Sequence, residues 1–250
     1  MGVSNKAPTS DLEHGHHPDE IAERLADGPR ARYLRDWVYG GIDGAVTTFA
    51  IVAGVVGAGL SNRVILILGA ANLLADGFSM AASNYTGTKA ELDDYDRLRR
   101  MEERHIDAAP DGEREEVRQL FAAKGFQGQD LERAVAVITS SRRHWIEMML
   151  AEEHGLPLVS RSPVIAAVST FAAFVLCGLV PLLPFVVGLQ ASLDLSAGLT
   201  GLVFFMIGSL KSRRAMASWW RSGLETAVIG LTAAGVAYLV GYGLKGLIPT

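Results

Sequence analysis

The chain has 250 residues, 49% of them hydrophobic and only 20% charged, with a formal net charge of −4. Soluble domains carry about 25% charged residues, and here the deficit is gathered into uncharged runs at 44–62, 162–193, 195–210 and 226–244. Such runs approach the roughly 20 residues that cross a bilayer, which excludes a soluble enzyme, a disordered chain and a disulfide-built secreted domain; the single cysteine, Cys177, has no partner within the chain.

The polar stretch 1–35 lacks the apolar core and cleavage site of a signal peptide. It reads as a cytoplasmic tail, with a short amphipathic helix near Asp19–Leu25 that Asp19 is placed to cap. His14, His16 and His17 form a His-rich tract in it, of the kind that collects metal weakly. A first span follows over Trp37–Leu60, and the short turn Ser61–Arg63 returns a second, antiparallel span from Val64. This second span has no stop signal. Helix-favouring residues continue past Thr88 to Ile106, so one helix is expected to leave the membrane near Tyr85 and project into the cytoplasm until Pro110-Asp111-Gly112 ends it. Three polar helices are expected next, at Asp111–Lys124, Gln129–Ile138 and Arg142–Glu153. The third span is Pro163–Leu189, kinked by Pro181 and Pro184; the fourth is Leu195–Leu210 and the fifth Leu224–Leu244.

The expected fold is therefore all-α, a polytopic membrane protein of five spans with a helical domain inserted between spans two and three. The expected divisions are a tail (1–35), spans one and two (36–88), a cytoplasmic helical metal-binding domain (89–161) and spans three to five (162–250). Basic residues mark the cytoplasmic side. Arg24, Arg30, Arg32 and Arg35 precede span one, and Lys211, Arg213, Arg214 and Arg221 separate spans four and five, whereas the Gln190–Asp194 turn carries little charge. That puts the N-terminus inside and the C-terminus outside. The segment 88–161 holds 16 of the 27 acidic and 12 of the 23 basic residues, so the whole net negative charge belongs to it. A weakly acidic module suits a cation and gives no support for nucleic acid, which needs a basic face.

Asp43 and Asp76 are carboxylates inside spans one and two. A charge at that depth costs about 2.5–3.5 kcal/mol on insertion scales and marks a functional position. Asn72, Asp76, Met80 and Asn84 are spaced four apart, which groups an amide, a carboxylate, a thioether and a second amide along one helix. Asp43 and Thr47 share a face of the first span. Hard oxygens with one soft sulfur suit a borderline divalent metal such as Fe²⁺ better than Ca²⁺ or Mg²⁺. Taken singly, Met80 reads as lipid-facing filler, and the small-xxx-small pair Gly40/Gly44 reads as close helix packing.

In the polar segment, Glu102/His105 and Glu113/Glu116 are i,i+3 pairs, and Met149/Glu153 is an i,i+4 pair with Glu152 beside it. Pairs at these spacings share a helix face, and three such helices can surround metal ions; any one pair alone reads as solvated surface. Glu102-x-x-His105 has the spacing used in di-iron bundles. No second such pair occurs in the polar helices, which argues against a ferroxidase centre of that type.

The runs Asp43–Gly54 (DGAVTTFAIVAG), Leu74–Ala81 (LADGFSMA), Asn84-Tyr85 and Lys89-Ala90-Glu91 resemble the vacuolar iron transporter family, and the likeness extends from about Tyr33 to Gly246. The resemblance implies a five-span protomer, a homodimer with the pathway at its interface, and export of Fe²⁺, with Mn²⁺ as a second cargo, from the cytosol in exchange for protons. It implies no organic cofactor and no enzymatic activity, and a bacterial member would sit in the inner membrane. Asp43 and Met80 match the family's transport-site residues; Glu102, Glu113, Glu116, Met149 and Glu153 match its cytoplasmic metal ligands. Asn72 stands where eukaryotic members place a glutamate, which leaves Asp76 one turn on as the candidate for proton coupling. His105 stands where a glutamate is usual and Leu150 where a second methionine is common. The alternative function is a membrane-anchored iron-binding or ferroxidase protein that does not transport.

Overall fold

The computed structural model describes residues 15–157, 159–189, 192–212 and 218–245. Of the residues named above, His14, Gln190, Arg213, Arg214 and Gly246 lie outside them. The described residues up to Ala31 form a unit of their own. Its helix, α1 (Pro18–Asp27), starts one residue earlier than expected. Proline is suited to a first turn because its missing N–H has no helical partner there. His17 is therefore the N-cap, and Asp19 is not a cap but lies inside the first turn with Glu20, where carboxylates meet the positive end of the helix dipole.

The described residues of the second unit form helices joined by turns and short loops. Among the described residues, five helices are long and apolar enough to cross a membrane: α2 (Leu34–Gly57), α3 (Asn62–Ala108), the broken helix of α7 (Pro163–Leu179) and α8 (Leu183–Val187), α9 (Ser192–Ser212) and α10 (Trp219–Leu244). The chain is a multi-pass membrane protein. The break between α7 and α8 is a 3₁₀ turn at Val180–Leu182. Pro181 and Pro184 lack the N–H that continuous α-helix needs, so the expected kink is present at the expected residues.

α3 runs for 47 residues without interruption, about 70 Å at 1.5 Å per residue. A bilayer's apolar core takes only about 30 Å of this, so more than half of the helix lies beyond it. That second half packs with α4 (Pro110–Ala123), α5 (Gly128–Thr139) and α6 (Arg142–Glu152) around a core of its own: Leu98 and Ile106 of α3, Val117, Val135, and Trp145, Ile146, Met149 and Leu150 of α6. One helix thus belongs to both the apolar bundle and the polar one.

α2 sits at the centre of the apolar bundle and packs on α3, α7, α9 and α10. Glycine makes this possible. A Cβ at Gly40 or Gly44 would collide with the backbone of Thr170 or Phe174 on α7, and one at Gly57 or Gly241 would collide across the α2–α10 contact. Amphipathic rings gather where α2 and α10 begin: Trp37 and Tyr39 on one, Trp219 and Trp220 on the other, all exposed. Arg35 lies over the Tyr39 ring and Arg221 over Trp220. Aromatic rings of this kind favour the membrane–water boundary.

A candidate metal-capture and translocation site

The polar bundle presents a cluster of ligating side chains at the far end of α3. Glu102 is on the last turns of that helix and is 1% exposed; Glu113 opens α4 and is 4% exposed. Both are carried by faces that otherwise build the core: Ile106 lies one turn beyond Glu102, and Val117 one turn beyond Glu113. Glu102 Oε2 and Glu113 Oε2 are buried with no hydrogen-bond partner among the described residues. A buried carboxylate oxygen left without a partner carries a desolvation penalty, and the natural relief for two of them facing one site is a cation.

Two groups of ligand atoms, each lying within 4.8 Å of one another, meet at Glu102. The first is Glu102, His105 and Glu113, with His105 Nδ1 3.4 Å from Glu113 Oε1. The second is Glu102, Glu153 and His154; His154 Nε2 is 2.9 Å from Glu102 Oε1 and 3.7 Å from Glu153 Oε2. Glu116 is exposed and shares a cleft wall with Met149 and Glu153. Met149 is otherwise fully buried in the core, where a flexible thioether fills space as well as any apolar side chain. Glu152 points elsewhere: its carboxylate takes the Lys124 ammonium at 2.6 Å. The structure brings Glu102 beside His105 and Glu113 on one side and beside Glu153 on the other; it adds His154, which stands directly after Glu153 at the end of α6 and has no helix spacing to announce it.

Crowding of acids shapes the electrostatics here. Burial, together with the charges of Glu116 and Glu102, raises the Glu113 carboxyl to about 7. Glu153 is also raised, chiefly by burial and by Glu102 and Glu116, with His154 opposing. Near neutral pH Glu113 accordingly still competes for a proton that an arriving cation must displace.

The second group of residues lies within the apolar helices. Asp43 is half-buried on α2, and Thr47 donates to its carbonyl oxygen at 2.8 Å. Asn72 of α3 donates to the Thr47 hydroxyl at 3.1 Å and to Thr48 at 3.3 Å, tying the two helices together. Asp76 is exposed, yet its charge lies close enough to interact with that of Asp43. Met80 is partly buried against the core of the bundle.

Asn84 does not stay with the others. It donates to Asp36 Oδ1 at 2.8 Å and to Thr170 Oγ1 at 2.7 Å. Four residues turn a 3.6-residue helix by about 40° too far; three such steps from Asn72, two of them beyond Asp76, carry Asn84 round to the side facing α7. Asp36, 3% exposed, also accepts from the Arg161 guanidinium, which lies over the Tyr33 ring. Tyr33 Oη in turn accepts from the Ser162 N–H at 2.8 Å. This network was not anticipated from the sequence. Its one signal was a carboxylate two turns before Asp43, on the same face of the same helix.

Residues 34–242 match a family model described as the VIT family. The chain is 30% identical over 228 residues to vacuolar iron transporter 1 of Oryza sativa subsp. japonica, covering 90% of this chain and 88% of that one. It is 33% identical over 239 residues to a vacuolar iron transporter of Toxoplasma gondii (strain ATCC 50861 / VEG), covering 91% and 78%. It is also 31% identical over 208 residues to vacuolar iron transporter 1 of Arabidopsis thaliana, covering 82% and 83%.

Proposed function

The chain belongs to the VIT family, and from that premise we propose that it is a transporter of divalent metal, Fe²⁺ first and Mn²⁺ second, that moves the ion out of the cytosol in exchange for protons. The observation that carries this reading is a ligand cluster with two buried, unpartnered carboxylate oxygens at one end of a helix whose other half bears Asp76 and Met80 inside a membrane span. Residues 89–161 are the cytoplasmic capture domain, and 36–88 with 162–250 form the membrane part.

Glu102, His105, Glu113, Glu116, Met149 and Glu153 take the ion from solution. Asp43, Asp76 and Met80 receive it in the membrane, with Thr47 and Asn72 fixing the spacing of the two helices. Protons compete with metal for the same carboxylates, which couples the two fluxes. Asp76 supports a homodimer. It is exposed on a span whose neighbours Leu74 and Phe78 are also exposed. A carboxylate facing lipid is disfavoured by about 2.5–3.5 kcal/mol at mid-bilayer; facing a second copy across a wet passage, it is not. A bacterial inner membrane, with the N-terminus in the cytosol, fits the basic residues flanking α2.

The test is Fe²⁺ uptake into proteoliposomes holding the purified protein and a trapped pH indicator. Metal entry with proton exit is expected, and Asp43→Ala should abolish both. Metal bound without flux, under several imposed pH gradients, would leave a membrane-anchored iron-binding protein instead.

A further inference from the structure

We infer that His154 is a metal ligand, and that Glu102 bridges two cation positions, one completed by His105 and Glu113 and the other by Glu153 and His154. The inference rests on the reading of this cluster as the metal-capture site and deepens it by assigning selectivity to two imidazoles.

The geometry supports a shared carboxylate. Glu102 is the single residue common to the two groups, and its side chain is essentially sealed from solvent. One of its oxygens faces His154 Nε2 at 2.9 Å; the other has no hydrogen-bond partner among the described residues. A monodentate structural ion pair would leave the second oxygen unexplained. A cation shared with the neighbouring group would give that oxygen a partner. The other acid of the first position, Glu113, likewise keeps a buried, unpartnered oxygen. His154 is held where it can serve: its ring is 16% exposed, between two carboxylates, at the point where α6 ends.

Each position then offers two carboxylates and one imidazole. Carboxylates alone accept Mg²⁺, Ca²⁺ and Mn²⁺ readily, whereas imidazole nitrogen favours Fe²⁺, Co²⁺ and Zn²⁺. An acidic cluster facing the cytosol meets a large excess of Mg²⁺. Placing one nitrogen in each half raises affinity for the borderline ions without raising it for the hard ones.

The experiment uses full-length protein in detergent with Co²⁺ as the probe, read by its d–d absorption and by equilibrium dialysis, with and without excess Mg²⁺. His154→Gln is the main variant, because its amide keeps a donor for Glu102 while removing the nitrogen ligand. His154→Ala repeats the measurement without the donor, and His144→Gln, an exposed histidine on α6 itself, is the control. The expected result is loss of one Co²⁺ per chain at concentrations that saturate the native protein, or about tenfold or more weaker binding of that ion. The spectrum should change, and Mg²⁺ should displace the remaining Co²⁺ at that position more readily. His105→Gln should weaken the other position, and Glu102→Gln should lose both. Native stoichiometry, affinity and spectrum in both His154 variants, with Glu102→Gln still losing ions, would overturn the role of His154 alone. Unchanged Co²⁺ binding in Glu102→Gln would overturn this inference and the capture site together.

Discussion

Glu113 shows most clearly how the fold prepares a carboxylate for metal. Its carboxyl is held at about 7 against an ordinary 4.5, so between those values the folded, metal-free domain binds a proton that the unfolded chain has released. Stability must therefore fall as pH rises from about 4.5 to 7. A cation that replaces the proton removes that loss. Thermal melts of the protein in chelator should accordingly show a lower melting temperature at pH 8 than at pH 5, and Glu113→Gln should shrink the difference. Added Co²⁺ should restore the pH 8 value in the native protein and not in the variant. The same proton makes capture pH-dependent: metal affinity should rise between pH 5 and 8, as a deprotonated ligand requires. An affinity flat across that range would contradict the placement of Glu113 in the site.

Among the elements, α2 and its neighbours depend on very close approach. Gly44 has the backbone of Phe174 where a side chain would go. Overpacking of a core costs typically 1–3 kcal/mol, and here the obstacle is main chain, which cannot rotate aside. Gly44→Val should lose at least that much, seen as a lower melting temperature in detergent. The foot of α2 is held differently, by Asp36 between Asn84 of α3 and Arg161 just before α7. Arg161→Ala leaves a buried charge uncompensated, which costs about 3–5 kcal/mol. The pair Asp36→Asn with Arg161→Gln should be milder than either single change, and a double-mutant cycle on melting measures the difference. The helices themselves were readable from hydropathy: the uncharged runs, the uninterrupted second span and the two prolines of the third each appear in the structure. Asp36–Arg161 was not, because it joins residues 125 positions apart and neither has a spacing that announces a partner. His154 was missed for another reason. A histidine after a helix end has no helical face, so periodicity is silent about it. Asn84 was drawn into the wrong company by a spacing of four, which drifts around the helix over three turns.

For the whole molecule, α3 is the feature that unites capture and passage, since it carries Glu102 and His105 at one end and Asn72, Asp76 and Met80 at the other. If the two bundles have separate tasks, their variants must fail in separate ways. The most direct measurement is Fe²⁺ flux into proteoliposomes as a function of Fe²⁺ concentration, for the native protein, Glu102→Gln and Asp43→Ala side by side. Glu102→Gln should need about tenfold or more Fe²⁺ to reach half-maximal flux, the scale on which a metal site loses affinity, and should approach the native maximum. Asp43→Ala should lose the maximum itself while still binding metal in the polar bundle. Native maximal flux in Asp43→Ala, or complete loss of flux at every concentration in a folded Glu102→Gln, would contradict a capture site feeding a separate passage in the membrane.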